Sequence, residues 1–208
     1  MNKINYDKLM QGEIDQIIRR GEKPLICLHA CCAPCCSQTL VRLSPYFRIV
    51  IFFYNPNITD EPEYYKRFNE VCRLVREMGL AESTEVIDGG FDPAIFFAQA
   101  KGHEKDPEGG NRCGGCFRQR LEATAQKALE IHADYFCSTL TVGPLKNAQV
   151  INPVGMAEAE KVNIPWLPSD FKKGDGYKKS IELSKQYNLY RQNYCGCGFS
   201  KRDEVASG

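Results

Sequence analysis

The chain is predicted to be an α/β protein with a mostly parallel sheet and helices on both faces. Two observations carry that expectation. Short apolar runs rich in β-branched and aromatic residues alternate with segments whose apolar positions recur at helical spacing, and that order lays strands in parallel under covering helices. The 208 residues, 43% hydrophobic and 25% charged, also suit one domain with a real core.

Each element has its own signal. Tyr6, Leu9, Met10, Ile14 and Ile17 share one helix face, so residues 1–24 are read as an N-terminal helical arm. "PLICLHA" (24–30) is a buried strand, and "FRIVIFFYNPNI" (47–58) is a second one that ends in a turn of Asn and Pro. A helix follows, with Asp60 and Glu63 as a capping box, Pro62 in the first turn, and Tyr64, Phe68, Val71, Val75 and Met78 on one face before Gly79. "TEVID" (84–88) is a third strand, "DPAIFFAQAKG" (92–102) a short helix and "HEKDPEGGNR" (103–112) an exposed, mobile loop. Phe117, Leu121, Thr124, Ala128 and Ile131 give the next helix face, "DYFCSTLTV" (134–142) a strand, and "NAQVINPVGMAEAEKV" (147–162) a helix disturbed by Pro153. Residues 25–200 form one α/β domain with a cysteine-bearing tail, and 201–208 a flexible end.

Composition excludes several classes. With 27 basic and 26 acidic side chains, no global field attracts nucleic acid, so such a partner must be held by local basic patches. No apolar run is long enough to span a bilayer, and the N-terminus lacks a signal peptide's apolar stretch, so the expected setting is the reducing cytoplasm without membrane attachment. Neither a Walker pattern nor GxGxxG follows the first strand, which removes the usual support for nucleotide binding.

Eleven cysteines dominate what is left. The odd number and the expected compartment argue against a disulfide framework and for metal or redox chemistry. Cys27, Cys72 and Cys137 read as small core hydrophobes. The others group as Cys31, Cys32, Cys35 and Cys36, then Cys113 and Cys116, then Cys195 and Cys197. "CGGC" (113–116), read in the loop that enters the next helix, could be a zinc knuckle, a redox pair or half an iron–sulfur site, its glycines freeing the backbone to curl both sulfurs toward one centre. Adjacent Cys31 and Cys32 suit a cluster with several iron corners better than one tetrahedral zinc. "CGC" (195–197) could close a strained disulfide, hold a separate metal, or complete a zinc site with Cys35 and Cys36. By the α/β map, all three groups can converge beyond the carboxyl ends of the strands.

Local charge and aromatic groups supply the nucleic-acid candidates. Arg112, Arg118 and Arg120 surround "CGGC", and Lys172, Lys173, Lys178, Lys179 and Arg191 are interleaved with Phe171, Tyr177, Tyr190 and Tyr194. This mixture suits a nucleic acid whose phosphates meet cations and whose bases stack on rings, and "KKGDGYKK" (172–179) reads as a mobile loop that orders on it.

"HACCAPC", "FYNPNI" followed by "EYYKR", "RCGGCFRQRLEATA", "STLTVGPLKN" and "SDFKKGDGYKKSIELSKQYNLYRQNYCGCGFS" run collinearly from about residue 25 to 200. Together they resemble the QueH type of epoxyqueuosine reductase. The resemblance implies a Rossmann-like, adenine-nucleotide-hydrolase-like domain and an iron–sulfur oxidoreductase. Its reaction would be the reductive deoxygenation of epoxyqueuosine in a tRNA with a GUN anticodon, fed by an electron-donor protein or low-potential reductant. It further implies a 4Fe–4S cluster on Cys31, Cys32, Cys113 and Cys116, with Cys195 and Cys197 redox-active or holding an additional mononuclear iron. Some members carry aspartate where this chain has Cys35, so Cys35 would give that iron a thiolate. The reaction consumes two electrons and two protons, whereas such a cluster passes electrons singly, so a second redox or Lewis-acid element is needed. Asp92, Asp88 and His29 are the candidate proton donors, with Asp92 preferred, although either aspartate could equally be a cap and His29 a hydrogen-bonded strand residue. Substrate contacts fall to Arg118, Arg120, Lys172, Lys173, Tyr177 and Arg191. Two rival readings are a zinc-stabilised RNA-binding module without catalysis and an ATP-dependent or thiol-transfer tRNA-modifying enzyme.

Overall fold

Four strands, β1 (Leu25–His29), β2 (Arg48–Phe53), β3 (Thr84–Asp88) and β4 (Tyr135–Ser138), form one all-parallel sheet in the order β3-β2-β1-β4 in the computed structural model, which describes residues 3–200. The register sets Leu28 between Ile51 and Cys137. Parallel neighbours need crossovers, and right-handed ones place α2 (Ala33–Leu43) and α3 (Glu61–Glu77) on one face, and α4 (Pro93–Ala100) and α5 (Asn111–Glu130) on the other. The near-continuous apolar runs of β1 and β2 follow from that double cover. Between β1 and β4 the winding reverses, and a crevice opens there beyond the carboxyl end of β1.

The remaining helices are α1 (Tyr6–Arg20), α6 (Ala148–Val162) and α7 (Gly176–Gln186), with single 3-10 turns at Thr139–Val142 and Gly198–Ser200. Met10, Ile14 and Ile17 of α1 are buried in the same core as the sheet. Gly21, at φ +64°, ends that helix by donating to the Ile17 and Ile18 carbonyls. No described helix is long and apolar enough to cross a membrane. Residues 201–208, read as a flexible end, lie outside the described residues.

Three local expectations change. The capping box of α3 is half made: the Asp60 carboxylate accepts from Glu63 N at 3.0 Å, but the Glu63 carboxylate is engaged by Arg67 at 2.7 Å and by the Tyr190 hydroxyl. A buried guanidinium outcompetes a backbone amide for that carboxylate. Asp60→Ala should cost about 1 kcal/mol, read as a lower urea midpoint at unchanged slope. Second, α5 begins at Asn111, so "CGGC" is helical rather than in a loop. The glycine at 115 serves close packing there, because a side chain would strike Gln99 of α4. Third, the loop before α5 is tethered: buried Arg112 donates through Nη1 to the carbonyls of His103, Glu104 and Asp106.

Pro153 lies inside α6 without ending it. Its neighbour Asn152, fully buried, donates to Ala148 O and Ser169 O and accepts from Trp166 Nε1 and Ser169 N, all within 3.0 Å. That set of bonds ties the helix to the 164–169 segment.

Candidate metal centre

The crevice is where the cysteines meet. Cys31 and Cys32 occupy the turn after β1, Cys32 is the N-cap of α2, and Cys35 lies in its first turn. The three sulfurs are all within 4.8 Å of one another. Cys36, one position on, turns into the core, where Cys27 and Cys137 also lie, fully buried. Burial pushes the Cys27 thiol up to about 12, which leaves it neutral and inert.

Cys31, Cys32 and Cys35 line a cavity of about 360 Å³ with Arg67, Arg120, Lys146 and Cys195. Cys113 and Cys116, from the first two turns of α5, line an adjoining void of about 20 Å³ with Cys195 and Cys197. Cys195, Arg120 and Lys146 belong to both walls. Seven thiols from three distant segments therefore border two contiguous spaces. Cys35 borders the larger space with Cys31 and Cys32, Cys113 and Cys116 border the smaller with Cys197, and Cys195 borders both.

The surroundings select which sulfurs carry charge. Hydrogen bonds from Cys32 and Cys35 hold the Cys31 thiol well below its ordinary value and push those two up. Cys195 is lowered to about 5, first by its bond to Cys197, with sulfurs 3.5 Å apart, then by Lys146 and by Ser200 Oγ at 2.9 Å. Gly109 N–H donates to Cys113 Sγ at 3.2 Å.

The "CGC" segment is strapped down by its own backbone. Asn57 Nδ2 and Arg67 Nη1 donate to the Cys195 carbonyl at 3.1 and 3.3 Å, Arg67 Nη2 donates to Tyr194 O, and Thr59 N donates to Gly196 O. Gly196 stands at φ +107°, and a side chain there would meet Ile58 Cγ1 at 2.7 Å.

The predicted proton donors lie elsewhere. Asp92 is an exposed N-cap of α4, accepting from Ala94 N, and Asp88 accepts from the Tyr64 hydroxyl and Gly90 N. Neither lines the thiol cavities. His29 is fully buried between β1 and its neighbours, and burial lowers it to about 3, so it is neutral. Its Nδ1 lies 2.8 Å from Ser138 Oγ, and its Nε2 is 3.1 Å from Tyr54 O and 3.2 Å from the donating Arg120 Nε. To accept from Arg120, the ring must carry its proton on Nδ1.

The substrate candidates divide in the same way. Tyr177 and Arg191 line the larger thiol cavity, Arg118 is exposed on α5, and Lys173 is exposed ahead of α7. Lys172 spends its ammonium on the carbonyls of Thr141 and Lys146 and on Asp170. Arg120 is only 3% exposed. "KKGDGYKK" is partly ordered, since Gly176–Lys179 already belong to α7. Lys146, Arg67, Asn55 and Asn57 are site residues that sequence reasoning did not single out. The available signal was their place in "STLTVGPLKN", "EYYKR" and "FYNPNI", two of which follow strands at the crevice.

Residues 26–203 match the family model described as "Epoxyqueuosine reductase QueH". Among curated relatives, the chain is 46% identical over 202 residues to the epoxyqueuosine reductase QueH of Staphylococcus epidermidis, covering 95% of this chain and 85% of that one. It is 40% identical to that of Streptococcus pyogenes, over 96% and 79% of the two chains, and 34% identical to that of Thermotoga maritima, over 84% and 89%. With its thiols gathered at the head of a parallel sheet and this match over most of its length, the chain belongs to the epoxyqueuosine reductase QueH family.

Proposed function

We propose that the chain reduces the epoxide of epoxyqueuosine in tRNA to the alkene of queuosine, using a 4Fe–4S cluster on Cys31, Cys32, Cys113 and Cys116 and an iron beside it on Cys35, Cys195 and Cys197. The observation that carries this reading is the convergence of seven thiols on one crevice that also holds Arg120 and Lys146. The donor set fits the group: soft thiolates suit iron–sulfur clusters, an N–H reaches Cys113 Sγ, and the larger cavity is far roomier than one ion needs. A four-thiolate zinc site would leave Cys31, Cys32 and Cys35 without a role.

When bound, the cluster supplies electrons singly at low potential. The overall change takes two electrons and two protons, breaks both C–O bonds and releases the oxygen as water. Lys146 is placed to provide a proton, because its ammonium is in both cavity walls and is held by Glu108 at 3.2 Å. Tyr177, Tyr194 and Arg191 line the larger cavity and offer stacking and phosphate contacts to the nucleotide. A second reading of the "CGC" pair, as a dithiol that cycles through a disulfide, is favoured by the 3.5 Å between its sulfurs. In either reading the partners are tRNA with a GUN anticodon and a low-potential electron donor, and the setting is cytoplasmic.

The test is anaerobic purification with iron and sulfide analysis, followed by incubation with epoxyqueuosine tRNA and a low-potential reductant. Brown protein and queuosine in the nucleoside mass spectrum are expected. A colourless zinc protein, or no product from fully loaded protein, overturns the reading.

A further inference from the structure

Arg120 is a buried cation that no described carboxylate answers. The other charged side chains around the two cavities are accounted for: Arg67 pairs with Glu63, Lys146 takes the larger cavity's one carboxylate, Glu108, and Arg112 is bonded by three carbonyls. Arg191 is exposed and donates to Ser184 Oγ. Arg120, 3% exposed, donates through Nε to His29 and through Nη2 to Asn55 Oδ1 at 2.7 Å, two neutral partners. A guanidinium cannot shed its proton, and burying it unanswered is costly. What remains in the walls that could carry negative charge is sulfur: Cys31, Cys32 and Cys35 on one side, Cys113, Cys116 and Cys197 on the other, and Cys195 on both.

We infer that Arg120 is the fixed counter-charge of the sulfur centre, aimed by His29 and Asn55, and that it raises the potential at which the centre accepts an electron. The inference rests on the iron–sulfur reading above. Each electron added makes the centre more negative, so a cation fixed beside it in a low-dielectric wall stabilises the reduced form more than the oxidised one. Arg120 acts here as a positioning residue, without touching the substrate.

The experiment is a redox titration of anaerobically loaded protein, following the visible absorption, with folding checked by circular dichroism. Arg120→Met and Asn55→Asp are the informative variants. The first removes the charge, and the second keeps the guanidinium but sets a carboxylate against it. Both should lower the midpoint, so that at the wild-type midpoint the reduced-to-oxidised ratio falls at least tenfold, about 59 mV for one electron. Arg120→Lys should stay near wild type. Loaded Arg120→Met and Asn55→Asp that titrate with the wild type overturn the inference. If the Arg120 variants do not take up iron, Asn55→Asp decides alone. Wild-type protein without iron and sulfide instead overturns the cluster reading, and this inference with it.

Discussion

Changing Cys31 and Cys32 together to serine is expected to strip the chain of iron and to cut reduction of epoxyqueuosine tRNA by more than about 100-fold, since altering even an outer neighbour of a metal ligand costs 10- to 100-fold. The sheet should survive, because these residues sit in the turn after β1 and contribute no strand hydrogen bonds. Cys36→Ser is the control one turn away. Its sulfur lies in the apolar core, so the variant should keep its iron and lose stability instead, by roughly 1–3 kcal/mol for a buried hydroxyl without a partner. Iron content and urea midpoints together separate the two. Full iron in the double variant would sink the assignment of those thiols, and loss of iron from Cys36→Ser would move Cys36 from the core to the centre.

Gly196→Ala carries the second large effect. The residue combines a left-handed backbone, which costs an L side chain roughly 1–2 kcal/mol, with a wall formed by Ile58 and Arg67. The chain can relieve the clash only by lifting the 195–197 segment, which breaks the bonds from Asn57, Arg67 and Thr59 to its carbonyls. Activity should fall at least about tenfold, a barrier increase of about 1.4 kcal/mol, while the unfolding midpoint drops only by what roughly 1–2 kcal/mol of backbone strain accounts for. Unchanged turnover in Gly196→Ala would show that the segment's seat does not matter to the reaction.

The order of strands and helices was legible because each apolar run matches its period, and β1, β2 and β3 lie within the stretches that predict them. The chemistry of the turns was legible only in part. Glu63 has the spacing of a capping box, yet a partner 127 residues away, Tyr190, and one helical turn away, Arg67, claim its carboxylate. "CGGC" looked like a loop because two glycines disfavour helix, but the helix runs through them, with Gly115 packed against the Gln99 side chain of α4. The cysteines themselves could be found from spacing. What holds and charges them could not, since Lys146 and Asn57 read as surface or turn residues, and Arg120 as a substrate contact, until the topology folds them inward.

The strap at 195–197 also bears on how the protein is made. All four strands are complete by Ser138, and five of the seven thiols have been translated by Cys116, but the last two come only after α6 and α7. Until they arrive, Arg67 and Asn57 lack the carbonyl they grip, and the sulfur pocket stands open on that side. The seat of the centre is therefore completed only by residues that follow the whole sheet, and a chain that stops ahead of Cys195 would own all four strands yet lack the carbonyls that Arg67 and Asn57 grip.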